Sequence, residues 1–170
     1  MRGEGTGSRN AATGDREKEF MALAIELAAT GMERGDGGPF GAVIVRGREV
    51  IGRGWNRVLA SNDPTAHAEI VAIRDACDRI GSYWLDGCDI FVNCEPCPMC
   101  LAAIHWARLA SLTFAASRDD AAAIGFDDAR IYRQVCLPPE RRQLPTHQVA
   151  RQDALRIMQQ WPALASGRSY

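Results

Sequence analysis

The side chains most able to do chemistry together are His67, Glu69, Cys97 and Cys100. Cys97 and Cys100 stand three positions apart, so at the start of a helix both sulfurs lie on one side and reach the same metal ion. A helix N-terminus also favours negative sulfur. His67 offers a third ligand from a separate segment, giving a His-Cys-Cys set with a fourth position open to water. An open position is what separates a catalytic zinc from a structural one. Glu69 falls on a different angular face of its helix from His67 and suits a general base that moves protons beside the metal. Cys94 leaves an alternative: it could complete a closed four-ligand site, or end a strand as a small apolar group. Taken singly, the Cys-x-x-Cys could be structural or redox-active and the histidine a core or surface residue, so the joint arrangement carries the reading.

These residues need elements to position them. Phe20, Leu23, Ala24, Leu27 and Ala28 recur at helical spacing, which predicts a helix over 18–34 ended by the glycines at 35, 37 and 38. The apolar runs 42–45 and 50–55, broken by Arg46-Gly47-Arg48, predict a hairpin with Asn56 near its outgoing end. Asp63 as N-cap and Pro64 as first helical residue predict a helix to Asp78, with Ile70, Ile73 and Cys77 inward and His67 and Glu69 in the opening turns. A strand over 88–92, a helix over 98–107 and a strand over 109–116 follow. The segment 117–130 reads as a loop or interrupted helix at the sheet's rim, 143–149 as an edge strand, and 150–160 as a final helix stopped near Trp161-Pro162. This order favours an α/β sandwich over a dinucleotide-binding fold, and no phosphate-loop signature is present.

The length of 170 residues suits one domain, expected over 18–161 between a disordered leader, 1–17, and a tail, 162–170. Lys+Arg 20 against Asp+Glu 21 leaves a net charge of −1, without the basic excess of a nucleic-acid binder. No apolar run approaches the roughly 18 residues of a membrane span, and the polar first residues lack a secretory signal. A cytoplasmic protein is expected. The bunching of Cys94, Cys97 and Cys100 fits metal ligation in a reducing compartment better than a disulfide framework.

His67-Ala68-Glu69 followed by Pro96-Cys97-Pro98-Met99-Cys100 matches the signature of zinc-dependent nucleobase deaminases. With Pro64-Thr65, Asn93-Cys94-Glu95, Ile104-His105-Trp106-Ala107-Arg108, Gly38-Pro39-Phe40-Gly41 and Gly125-Phe126-Asp127-Asp128, the sequence resembles the bacterial guanine deaminases of the cytidine-deaminase-like superfamily. The resemblance runs from about residue 19 to Tyr170. It implies a three-layer α/β/α sandwich with a central five-stranded mixed sheet. It further implies a homodimer whose exchanged C-terminal tails bring Tyr170 over the partner's site. The implied reaction is hydrolysis of guanine to xanthine and ammonia at zinc, with attack at C2 and Glu69 moving the protons. Asn56 is implied to recognise the base, with Ala68 also against the substrate, and Asp128 to contact the amidine or leaving amine. Phe40 and Trp106 are candidate apolar walls for a planar ring, with core packing as the alternative. His105 stands where relatives often carry an aromatic residue.

Three competing functions follow from the same residues. Zinc machinery does not itself select a purine, so ammeline, cytosine or guanosine are alternative substrates. A tRNA adenosine deaminase would share the chemistry but need an electropositive surface. A non-enzymatic zinc-stabilised interaction domain would recruit Cys94 as a ligand.

Overall fold

The computed structural model describes residues 7–165, with side chains from residue 14 onward. It comprises two units, Met1–Asp128 and Ala129–Tyr170. The first contains α1 (Gly7–Glu33), β1 (Gly41–Arg46), β2 (Glu49–Trp55), α2 (Val58–Ser61), α3 (Ala68–Ile80), β3 (Asp89–Cys94), α4 (Pro98–Trp106), β4 (Ser111–Ala116) and α5 (Arg118–Ala123). The sheet order is β2-β1-β3-β4, antiparallel except for the β3–β4 pair.

Successive side chains of a strand point to opposite faces, and this builds the layers. Val43, Val45 and Phe91 meet Phe20 and Ala24 of α1 on one side. Ala42, Ile44, Ile90 and Val92 meet Ala68, Ala72 and Ala76 of α3 and Ile104 of α4 on the other. The result is an α/β/α sandwich around a mixed sheet, as expected. The sheet has four strands among the described residues instead of five.

Helix α1 starts at Gly7, so part of the segment expected as a disordered leader is helical. Just ahead of the expected start, Arg16 ties the helix to the sheet. The Arg16 guanidinium donates to Gly47 O at 2.9 and 2.7 Å and to Asp89 Oδ2 at 2.8 Å, and lies over the rings of Phe20 and Phe91.

The predicted start of α3 was early. The Asp63 carboxylate accepts from the N–H and hydroxyl of Thr65 at 2.8 and 2.7 Å, closing a local turn, and the helix begins at Ala68 with His67 as its extended N-cap residue. Gly81, at φ 65°, ends it in the left-handed conformation that glycine tolerates, its N–H donating to Cys77 O. The helix lies so close to β2 that a Cβ on Gly54 would stand 2.2 Å from Ala68 O and 2.5 Å from Ala72 N. Gly54→Ala must therefore push α3, and His67 with it, away from the sheet. It is expected to destabilise the fold by about 1–3 kcal/mol, read as a lower thermal midpoint together with weaker zinc retention.

The second unit holds α6 (Ala129–Val135), a 3-10 turn at Pro139–Arg141, α7 (Arg151–Met158) and α8 (Trp161–Leu164). None of its helices buries a residue. Residues 143–149 do not form the predicted edge strand. Pro145 lacks the N–H a ladder needs, the Gln143 N–H is taken by Gln134 Oε1 at 2.6 Å, and Leu144 and Val149 are exposed. The helix expected over 150–160 is α7, which ends at Met158 ahead of Trp161-Pro162; Pro162 falls in the first turn of the short α8, where its missing N–H costs nothing.

Candidate active site

Two helix starts converge to make the site. His67 is the N-cap residue of α3 and Cys97 that of α4, both with extended backbone (φ −68°, ψ 157° and φ −66°, ψ 167°). Cys100, in the first turn of α4, is fully buried. His67 Nδ1 lies 3.6 Å from Cys97 Sγ and 3.5 Å from Cys100 Sγ, and the three donor atoms fall within 4.8 Å of one another. A tetrahedral zinc with bonds of about 2.0–2.1 Å to nitrogen and 2.3 Å to sulfur has N–S edges of about 3.6 Å. The donor set and its spacing thus fit zinc, which the chain carries as its cofactor.

The protonation of the ligands follows from their contacts. The Cys97 thiol is lowered to about 4, chiefly by a hydrogen bond from Cys100 and then by His67, against the opposing effect of burial. Cys100, as the donor in that bond and buried, is pushed well above the ordinary thiol range. His67 is raised, mainly by its bond to Cys97. Without metal, the cluster therefore holds one thiolate that shares the protons of its two neighbours.

Glu69 is 7% exposed in the first turn of α3 and is not one of the clustered ligands. Burial above all pushes its carboxyl up from the ordinary range. Cys94 also stands outside the ligand group. It ends β3 with its thiol donating to Ser117 O at 3.6 Å, and burial chiefly raises it to about 11. Its place outside the cluster, with the thiol turned to Ser117 O, matches the strand-end reading and not a fourth ligand.

The remaining expected residues separate into two groups. Asn56 is buried, its N–H donates to Phe40 O at 2.9 Å and its Oδ1 accepts from Val58 N at 3.2 Å. A Cβ on Gly37 would meet that Oδ1 at 2.0 Å, so only glycine leaves room for the carboxamide. Ala68, the first residue of α3, is buried against β2. Phe40 packs edge-on against Phe126, with ring centroids 4.9 Å apart at 89°. Asp128, two residues beyond Phe126, is half-buried; burial, and next the charge of Cys97, raises its carboxyl. Trp106 is 67% exposed at the end of α4, so core packing does not describe it, and His105 beside it is exposed too. Tyr170 lies outside the described residues. Phe126 was legible only as part of a motif; its role as the partner of Phe40 had no signal in spacing.

The family model for the cytidine and deoxycytidylate deaminase zinc-binding region matches residues 15–116. The chain belongs to this family. Among its members, the guanine deaminase of Bacillus subtilis (strain 168) is 48% identical over 151 residues, covering 89% of this chain and 97% of that protein. The X-ray structure of guanine deaminase from Bacillus subtilis superposes with a TM-score of 0.86, covering 90% of this chain and 98% of that one. A tRNA-specific adenosine deaminase of Agrobacterium fabrum is 46% identical, but over 105 residues, 62% of this chain and 68% of that protein. Of the two curated relatives, the longer match is to the guanine deaminase.

Proposed function

We propose that this chain is a guanine deaminase, a zinc-dependent aminohydrolase that converts guanine and water to xanthine and ammonia. The observation that carries the choice of substrate is the extent of likeness: 48% identity to the Bacillus subtilis guanine deaminase continues over 89% of the chain. The tRNA-specific enzyme of Agrobacterium fabrum matches only 62%.

His67, Cys97 and Cys100 hold the metal. A zinc ion held there would supply a water acidic enough to be activated for attack at neutral pH. Glu69 removes a proton from that water as the C2–O bond forms and delivers it to a ring nitrogen. It then carries the proton of the new C2 hydroxyl to the amine as the C2–N bond breaks and ammonia departs. Asn56 offers the carboxamide end not engaged by Val58 to the base edge, and Ala68 borders the ring at the head of α3. Phe40, braced by Phe126, supplies a flat apolar wall. Asp128, its carboxyl raised by burial, accepts a hydrogen bond from the amidine or the departing amine. Trp106 serves the same pocket from its rim.

The assembly proposed is a homodimer with exchanged C-terminal segments, Tyr170 capping the partner's site. Its support is the second unit's surface: Leu144, Val149, Ile157, Met158 and Leu164 are 67–82% exposed. Apolar side chains on a unit whose helices bury nothing need a second copy to cover them. A cytoplasmic location is proposed from the six free cysteines; no described helix is long and apolar enough to cross a membrane.

Steady-state ammonia release from a panel of guanine, guanosine, cytosine, ammeline and adenosine in a tRNA anticodon stem tests the substrate. The largest kcat/KM is expected for guanine. Negligible guanine turnover beside strong activity on another member would overturn the assignment.

A further inference from the structure

We propose that Asn93 is the positioning residue that holds the base-reading segment, Phe40 and Asn56, in register with the metal-ligand strand. This rests on the guanine-deaminase reading for its kinetic consequence, but its structural basis is independent of it.

The β1–β3 ladder ends at the pair Ala42–Val92. Two residues further, β3 keeps its partnership with β4 alone: Cys94 pairs with Ala116, and Glu95 N–H donates to Ala116 O at 2.8 Å. That divergence leads the chain into the turn carrying Cys97. It would leave the backbone beside Phe40 without partners on the β3 side. The Asn93 side chain fills the gap. Its Oδ1 accepts from Gly41 N at 2.8 Å and its Nδ2 donates to Pro39 O at 2.9 Å, so one carboxamide grips the residues on both sides of Phe40. The two partners are of opposite type, which fixes the amide's orientation.

Across β1, Phe40 O accepts from Asn56 N at 2.9 Å, and Phe40 N donates to Gly38 O at 2.8 Å. Apart from the Phe40 N–H, which closes a local turn on Gly38 O, these polar groups of residues 39–41 are held by Asn93 on one side and by Asn56 on the other. Movement at Pro39 or Gly41 is passed to the Phe40 ring and, through its carbonyl, to Asn56. Neither His67, Cys97 nor Cys100 is bonded to Asn93, so the clamp acts on the base-reading wall while the ligands keep their own contacts.

Zinc-loaded Asn93→Ala and Asn93→Asp, assayed with guanine beside the unsubstituted chain, test this. Asn93→Ala is expected to keep its full zinc content and raise KM about tenfold while kcat changes less than threefold. Asn93→Asp keeps an acceptor for Gly41 N but places a carboxylate oxygen against Pro39 O, so at neutral pH it is expected to raise KM at least fivefold. In acid its protonated form can donate to Pro39 O, and the KM defect relative to the unsubstituted chain should shrink. Unchanged KM in both variants, or zinc loss in both, overturns the proposal. Amide hydrogen exchange on the same samples separates this from failure of the substrate assignment. In Asn93→Ala, the Asn56 amide, two bonds removed from the substitution, should exchange at least tenfold faster while Val43 and Ile44 stay protected. If the unsubstituted chain does not turn over guanine, the substrate assignment fails and the exchange result alone decides. An unchanged Asn56 amide then overturns the role given to Asn93.

Discussion

Glu69→Gln is expected to leave zinc bound and to lower guanine turnover by about 10²–10⁴-fold, the usual size of a general acid–base contribution. Glutamine keeps the shape of the side chain but can no longer accept and return a proton. The carboxyl sits in the first turn of α3, two residues after His67, and does not belong to the ligand cluster, so the metal has no reason to leave with it. Burial raises its proton affinity, which improves it as an acceptor near neutral pH; the bound cation pulls in the opposite direction. Zinc analysis beside the kinetics checks the result. Loss of the metal, or turnover within a few-fold of the unsubstituted chain, would remove Glu69 from the proton path.

A companion effect on stability has the reverse sign. In the metal-free chain, a carboxyl whose folded pKa lies above its unfolded value contributes stability that is intact below the unfolded pKa and lost as pH rises through the folded one. At neutral pH the buried charge is therefore a cost. Glutamine carries no such charge, so metal-free Glu69→Gln should have a higher thermal midpoint than metal-free unsubstituted protein near pH 7. The difference should fade in acid. A variant that is less active yet more stable is the pattern of a residue retained for chemistry and not for packing.

The ligand set was legible because helix geometry makes it so: residues three apart at a helix start share a side, and His67 and Cys97 sit at the two starts that the sheet brings together. The sheet was legible where a short unbroken apolar run marks a strand buried on both faces, as in Ala42-Val43-Ile44-Val45, whose side chains divide between two cores. What failed to show depended on partners far along the chain or on competition between local bonds. Arg16 anchors α1 ahead of its expected start through contacts 31 and 73 residues away, beyond the reach of any local pattern. At 63–67 the cap signal was sound in type but Thr65 took the Asp63 carboxylate, moving the helix start to Ala68. The apolar spacing at 143–149 suggested a strand, and Pro145 with the Gln134–Gln143 bond denied it. Phe126 and Asn93 reach the site only through a ring contact and a carboxamide clamp, neither of which leaves a periodic trace.

Cys100→Ala and Cys94→Ala are expected to differ completely in metal content. Cys100 is buried with its sulfur 3.5 Å from His67 Nδ1, and its loss leaves only two of the clustered donors, so bound zinc should fall from about one per chain to near zero, and turnover with it. Cys94 lies outside the cluster as a thiol held by Ser117 O. Its removal should leave zinc at about one per chain and cost only a small packing loss at the end of β3. Equal zinc loss in the two variants would instead establish a closed four-ligand site and remove the open position that hydrolysis needs. Zinc uptake by the metal-free chain adds a second readout. Cys97, at about 4, is already a thiolate at neutral pH, whereas Cys100 holds a proton that must leave before its lone pair reaches the metal. Uptake in weak buffer should therefore release at least about one proton per zinc, and affinity should weaken as pH falls, because protons compete for the same donor atoms. Removal by a chelator should be correspondingly faster in mild acid, and activity should return on adding zinc at neutral pH. An uptake that releases no proton would mean that Cys100 is already ionised without metal, contrary to the hydrogen bond by which it lowers Cys97.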